Sequence, residues 1–234
     1  MIHEQVHKLE QWSGNNLGFD PVRHLNESTR LLQDIGTAVA DVPFFIKKKF
    51  ASVEELGTYR LVLYCMVRLF KPAVFIETGV LHGLTSMFIL QALSENQHGK
   101  LISIDLPSYF ETGPSNQDGF TDTLPPGLEP GWIIPERMRT IWDLRLGSSR
   151  EQLPGVVQEC AGKSTIFLHD SDHTSENMLW EFECTWTGLD ALQMIVSDNV
   201  NVNTAFFDFA YKVDRIALAF PDTDGTLRFG IIPR

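Results

Sequence analysis

The sequence predicts an α/β fold: a doubly wound sheet, mostly parallel, with a C-terminal antiparallel hairpin and N-terminal helices ahead of the first strand. Three observations predict it. From Ala73 onward, short apolar runs alternate with helical segments. Those runs are continuously apolar rather than alternating with polar residues, which marks strands covered on both faces of a parallel sheet. The chain then ends in two strand-like stretches joined by Pro221-Asp-Thr-Asp-Gly225, a hairpin connection.

Two helices are expected before the first strand. One spans Glu27 to Val39. The other starts at Ser52, where Ser52 and Glu55 form an S-x-x-E capping box. It continues through Leu61, Tyr64, Cys65, Arg68 and Leu69 until Pro72 prevents further helix. Strands follow at Ala73–Ile76, Leu101–Ile104, Ile141–Leu146, Ser164–Leu168 and Leu192–Val196. Helices are expected at Thr85–Asn96, Ser149–Ala161, Ser175–Thr187 and Thr204–Lys212, with closing strands at Arg215–Phe220 and Thr226–Ile232. Residues 106–140 break the rhythm. Pro107–Pro135 is rich in Pro and Gly and carries Tyr109, Phe110, Phe120 and Trp132. A connection this long inside a compact domain is usually functional. The expected organisation is a helical cap over residues 1–72, contiguous with a core over 73–234 that holds a 106–140 insertion loop.

Strand Ala73–Ile76 runs directly into Glu77-Thr-Gly-Val-Leu-His-Gly-Leu-Thr85. Gly79 and Gly83 let the backbone turn tightly and approach a ligand at the strand's carboxyl end. The spacing is E-x-G-x-x-x-G rather than the G-x-G-x-x-G of dinucleotide enzymes. A pyrophosphate needs helix amides and no adjacent carboxylate, whereas Glu77 suits a cationic group. Asp105 ends the next strand, where a carboxylate can accept both hydroxyls of a ribose. After the third strand, Gly147-Ser-Ser-Arg-Glu151 opens a helix with another S-x-x-E box, whose plain reading is capping. Taken in this order, the strand-end motifs resemble those of the class I S-adenosylmethionine-dependent methyltransferases, which have a Rossmann-like sheet, over about Ala73 to Arg234. The resemblance implies S-adenosylmethionine as cofactor. It places Glu77, Gly79, Gly83 and Thr85 at the methionine end, Asp105 at the ribose, and Ser148 and Ser149 at the adenine.

The densest polar cluster, His169-Asp170-Ser171-Asp172-His173, follows strand Ser164–Leu168, and Ser197-Asp198-Asn199 follows the next strand. Adjacent parallel strands bring Asp170, Asp198 and Asn199 to one sheet edge, an oxygen-donor set suited to a hard ion such as Mg²⁺. These segments resemble the metal-dependent small-molecule O-methyltransferases of the catechol and macrocin types. That resemblance implies Asp170, Asp198 and Asn199 as Mg²⁺ ligands. The catechol type carries a lysine base three residues after the first ligand; here the position is His173, and an imidazole can serve as general base near neutral pH. The expected proton acceptors are therefore His173 and Asp170. The usual Gly-Gly before the fifth strand is replaced by Gly188-Leu-Asp-Ala-Leu192. Plainer roles compete. His169 can be a buried histidine bonded to backbone, Asp172 a helix cap, and Asp198-Asn199 a turn before the next helix. Glu176 and Glu183 fit a solvated helix face.

A formal charge of −11 argues against polyanionic partners, which need clustered Lys and Arg; neither nucleic acid nor a membrane surface is expected. The one basic run, Lys47-Lys48-Lys49, reads as a solvated helix approach. Cys65, Cys160 and Cys184 lack metal spacing and suit free thiols in a reducing compartment. Residues Met1–Glu10 are too polar for a signal peptide, and no apolar stretch reaches the roughly 18–20 residues of a membrane span. A cytoplasmic protein is expected. The expected partner is a small-molecule hydroxyl acceptor, and a homodimer stays open. A metallohydrolase would also use an H-D-x-D-H cluster, but it has no need of the Glu77 loop or Asp105. A nicotinamide oxidoreductase fits neither the loop spacing nor the closing hairpin. A non-catalytic cofactor-binding protein would share both.

Overall fold

The computed structural model describes residues 2–40, 51–106, 124, 127–221 and 225–234. The Lys47–Lys49 run and the loop aromatics Tyr109, Phe110 and Phe120 lie outside them.

More helix precedes the first strand than the two segments expected. Helix α1 (Ile2–Ser13) buries Ile2, Val6 and Leu9, an i, i+4, i+7 stripe on a mostly polar segment, and Trp12 packs against the same core. The expected Glu27–Val39 helix starts four residues later, as α3 (Leu31–Val39), and a separate helix, α2 (Pro21–Glu27), precedes it. Asp20 caps α2, its carboxylate accepting from the amides of Val22 and Arg23, and Pro21 occupies the first helical position. Ser52 caps only a short 3-10 turn, Val53–Leu56, with its hydroxyl accepting from the Glu54 amide. The Glu55 carboxylate accepts from the Ala51 amide rather than closing a box onto Ser52. Gly57, at φ +102°, separates that turn from α4 (Thr58–Phe70). Lys71 ends α4 in the left-handed region and Pro72 follows.

The core strands are β1 (Val74–Thr78), β2 (Lys100–Asp105), β3 (Trp142–Leu146), β4 (Thr165–His169) and β5 (Leu192–Ser197). Helices α5 (Leu84–Asn96), α6 (Glu136–Arg139), α7 (Ser149–Glu159), α8 (Ser175–Gly188) and α9 (Ala205–Lys212) lie between and after them. Strands β6 (Leu218–Pro221) and β7 (Leu227–Pro233) form the closing hairpin. The sheet order is β3-β2-β1-β4-β5-β7-β6, with β7 antiparallel to β5 and the five core strands parallel. Side chains alternate between two cores. On β4, Ile166 and Leu168 face a core shared with α1, α4 and α5, while Phe167 faces the core of α7, α8 and α9.

The strand order reverses at β1, whose neighbours are β2 and β4. The connections leaving β1 and β4 lead to opposite sides of the sheet there, and the carboxyl edge at such a switch point is where sheets of this kind bind ligands. No helix of the described residues is long and apolar enough to cross a membrane. Cys65 and Cys160 are buried free thiols, and Cys184 is half-buried.

Candidate active site at the carboxyl edge of the sheet

Asp105 organises the loop after β1. Its Oδ2 accepts from the amides of Val80 at 3.0 Å and Leu81 at 2.8 Å, and its Oδ1 accepts from the Leu106 amide at 2.8 Å. Burial raises its pKa against those three donors, leaving it above the ordinary carboxylate value. The loop is pinned from the far side as well. Gly79 stands at φ +84°, and a Cβ there would lie 1.9 Å from the carbonyl oxygen of Asp170. Only glycine permits that meeting of the β1 and β4 loops. Gly83, at φ +92°, touches Gly131 of the insertion, where a Cβ would lie 2.8 Å from its Cα. The Gly131 amide donates to the Leu81 carbonyl, and Trp132 Nε1 donates to His82 Nδ1 at 2.9 Å. The far end of the insertion thus forms one wall of the loop.

Glu77 is fully buried on β1. Its Oε2 accepts from Ser86 Oγ and Ser103 Oγ, each at 2.7 Å, and Trp142 Nε1 donates to that Ser103 hydroxyl at 2.9 Å. Its Oε1 has no hydrogen-bond partner among the described residues. Burial pushes the Glu77 pKa up to about 7, against the Ser103 and Ser86 hydrogen bonds. Thr85, at the start of α5, has its hydroxyl within reach of Arg60 Nε at 3.2 Å and of the Tyr59 hydroxyl at 3.4 Å. Ser148 behaves as its plainer reading said: its hydroxyl and its amide both donate to Glu151 Oε2, at 2.9 and 3.1 Å. Ser149 is the first residue of α7.

The parallel register sets the chemical centre. His169 pairs with Ser197, and the Asp198 amide donates to the His169 carbonyl at 3.0 Å, so Asp170 and Asp198 emerge side by side. Their carboxyl groups are within hydrogen-bonding reach of each other. Burial and the neighbouring Asp198 charge raise the Asp170 pKa well above the ordinary value. Asn199 turns the chain at φ +50°, and its amide nitrogen lies 3.4 Å from both Asp198 Oδ2 and His173 Nε2. His173 is buried, its ring edge-on to His169 with centroids 5.1 Å apart. Asp170, Asp198, Asn199 and His173 therefore converge, as the sequence suggested.

Two carboxylates and one amide oxygen fit a hard divalent ion, whose charge would relieve the repulsion between Asp170 and Asp198. Among the described residues no three His, Cys, Asp or Glu side chains cluster as metal ligands.

Three features escaped the sequence reading. Glu181 is fully buried, with Oε2 at 2.7 Å from both His169 Nδ1 and Thr78 Oγ1 and Oε1 accepting from Ser171 and Asn177. Burial opposes its charge, but the His169 imidazole and the donors around it hold the carboxyl down to about 2. His169 is thus bonded to a carboxylate, not to backbone. The signal was present: Asn177, Met178, Glu181, Phe182 and Thr185 form the buried stripe of α8. Glu176 and Glu183 lie on its exposed side, paired with Arg150 and Lys212. Asp172 does not cap α8. Thr174 does, and Asp172 holds Thr174. The remaining two features, Tyr59 and Arg60 on α4, gave no sequence signal at all.

A family model described as a methyltransferase domain matches residues 76–200, more than half of the chain. Among solved structures, the O-methyltransferase TomG from Streptomyces achromogenes, in complex with SAM, is 14% identical with a TM-score of 0.56 over 100% of this chain and 98% of that one. An O-methyltransferase from Bacillus cereus in complex with SAH is 14% identical, TM-score 0.54, with 100% of each chain covered. The calicheamicin methyltransferase CalS11 is 14% identical, TM-score 0.54, over 99% of this chain and 91% of that one. No curated protein matches the chain. Identities this low show a shared fold, and the matching family model supplies the rest: the chain belongs to this methyltransferase family and is a class I, S-adenosylmethionine-dependent methyltransferase.

Proposed function

We propose that the protein transfers a methyl group to a hydroxyl of a small molecule, a sugar, an aromatic or a natural-product scaffold, with a divalent metal such as Mg²⁺ held by Asp170, Asp198 and Asn199. The observation that carries this reading is the meeting of Gly79 with the Asp170 backbone. It joins the cofactor loop to the carboxylate pair at the switch point of the sheet. The structural neighbours described as O-methyltransferases support the same reading.

S-adenosylmethionine supplies a methyl group made electrophilic by its sulfonium, and a divalent ion supplies Lewis acidity towards the acceptor hydroxyl. The chain's residues do the rest. Glu77, Gly79, Gly83 and Thr85 hold the methionine end, Asp105 the ribose, and Ser148 and Ser149 border the adenine. Asp170, Asp198 and Asn199 orient the acceptor oxygen for in-line attack. His173, beside Asn199, removes the hydroxyl proton. The far end of the insertion, with Trp132, helps exclude water.

Calorimetric titration with S-adenosylhomocysteine, followed by a methyl-transfer screen over hydroxylated acceptors with and without EDTA, tests the reading. Binding, and turnover that EDTA abolishes and Mg²⁺ or Mn²⁺ restores, is the expected result. Full turnover in excess EDTA would retire the metal. Binding without transfer to any hydroxyl would favour a cofactor-binding protein.

A further inference from the structure

Arg60 stands over the site although no motif announced it. Gly57 lets the first turn of α4 fold back: a Cβ at Gly57 would lie 3.1 Å from Arg60 Nη1 and 3.2 Å from the Tyr59 ring. The guanidinium lies on that ring, 4.4 Å from its centroid. Nη1 donates to the Leu56 carbonyl, and Nε donates to Thr85 Oγ1 at 3.2 Å. With Nε and Nη1 engaged and the plane stacked, the group is fixed in direction. It forms no ion pair with a described carboxylate, and Nη2 makes no hydrogen bond to a described residue. Its charge is nonetheless felt at both Asp170 and Asp198. A half-buried guanidinium held in place, with a donor to spare, is arranged to take a carboxylate or phosphate.

We propose that Arg60 is a positioning residue for the cofactor, its guanidinium binding the α-carboxylate of the methionyl group beside Thr85. The proposal rests on the reading that the Glu77–Thr85 loop holds the methionine end. That end carries one anion and two cations. Arg60 on one side, and Glu77, Asp170 and Asp198 on the other, sort the carboxylate from the ammonium and sulfonium. This sorting fixes which way the sulfonium methyl faces. The rival occupant is an anionic substituent of the acceptor.

The test is calorimetry of the full chain with S-adenosylmethionine and with decarboxylated S-adenosylmethionine, which lacks only the carboxylate. Wild type, Arg60→Gln and Arg60→Lys are compared, each checked for a cooperative melt. The wild type is expected to prefer the intact cofactor by about 10- to 100-fold, the scale of a charged hydrogen bond. Arg60→Gln should erase that preference by weakening the intact cofactor alone, and Arg60→Lys should recover part of it. Should Arg60→Gln fail to fold, Arg60→Lys carries the comparison, with a reduced preference expected. An unchanged preference in either folded variant overturns the proposal, as does equal weakening of both ligands. If wild type binds neither ligand, the cofactor reading itself fails; if it binds both and Arg60→Gln changes nothing, only the arginine's role fails.

Discussion

Glu77 illustrates how one buried carboxyl ties pH to stability. Its pKa rises from an ordinary 4.5 to about 7 in the folded chain. A raised folded pKa means the native state favours the protonated form. The associated stability is complete below about pH 4.5 and is lost as pH climbs through about 7. The shift corresponds to roughly 3 kcal/mol. Glu77→Gln keeps an acceptor for Ser86 and Ser103 but cannot ionise, so its stability relative to wild type should rise by about that amount between pH 4.5 and 8. Urea unfolding of both proteins at the two pH values measures it. A difference that does not change with pH would show that Glu77 titrates normally. Asp105 holds the Val80, Leu81 and Leu106 amides, and under the proposed function it also binds the ribose. Asp105→Ala should therefore weaken S-adenosylmethionine binding by about 1.5–3 kcal/mol and lower the melting temperature as well. Unchanged affinity in a folded variant would remove Asp105 from the site. His173→Ala should cut kcat by about 10²–10⁴ with cofactor affinity nearly intact; single-turnover rates over pH 6–9 check it, and a loss below about tenfold would hand proton removal to another group.

At the scale of elements, loops do the positioning and strand register aims them. Gly79→Ala would set a methyl group 1.9 Å from the Asp170 carbonyl, at a φ of +84°. The β1 and β4 loops would have to separate. Loss of cofactor binding together with at least about 2 kcal/mol of stability is expected, read by calorimetry and denaturant unfolding. Normal binding by the Gly79→Ala variant would show that the loop contact is dispensable. The strands were legible because buried parallel strands are continuous apolar runs, and each begins and ends within a few residues of its expected place. The N-terminal helices were less so. Helix α1 is mostly polar and presents only Ile2, Val6, Leu9 and the partly buried Trp12 to the core. In the Glu27–Val39 stretch the apolar positions begin only at Leu31, where α3 starts, and Glu27 belongs to the preceding helix. The places of Asp105, Asp170 and Asp198 beside strand ends were legible from the apolar runs, whereas His173 was singled out only by the resemblance, three residues beyond Asp170. Arg60 and Tyr59 were not, because a residue that reaches a site from a neighbouring helix leaves no trace in local spacing. Glu181 lay between these cases. Its helical stripe was visible, but a carboxylate on such a stripe gains meaning only from the histidine opposite.

Over the whole molecule, the switch of strand order at β1 gathers loops from both halves of the sheet onto one edge. The Glu77–Thr85 loop and Asp105 come from one side, the Asp170–Asp198 pair from the other, and α4 brings Tyr59 and Arg60 to them. Under the proposed function the cofactor lies along this edge with its sulfur end towards Asp170 and Asp198. A crystal structure of the protein with S-adenosylhomocysteine tests it most directly. Ribose hydroxyls are expected within hydrogen-bonding distance of Asp105, with the sulfur facing the Asp170–Asp198 pair. A ligand bound elsewhere, or one lying in the reverse direction with its adenine over that pair, would contradict it.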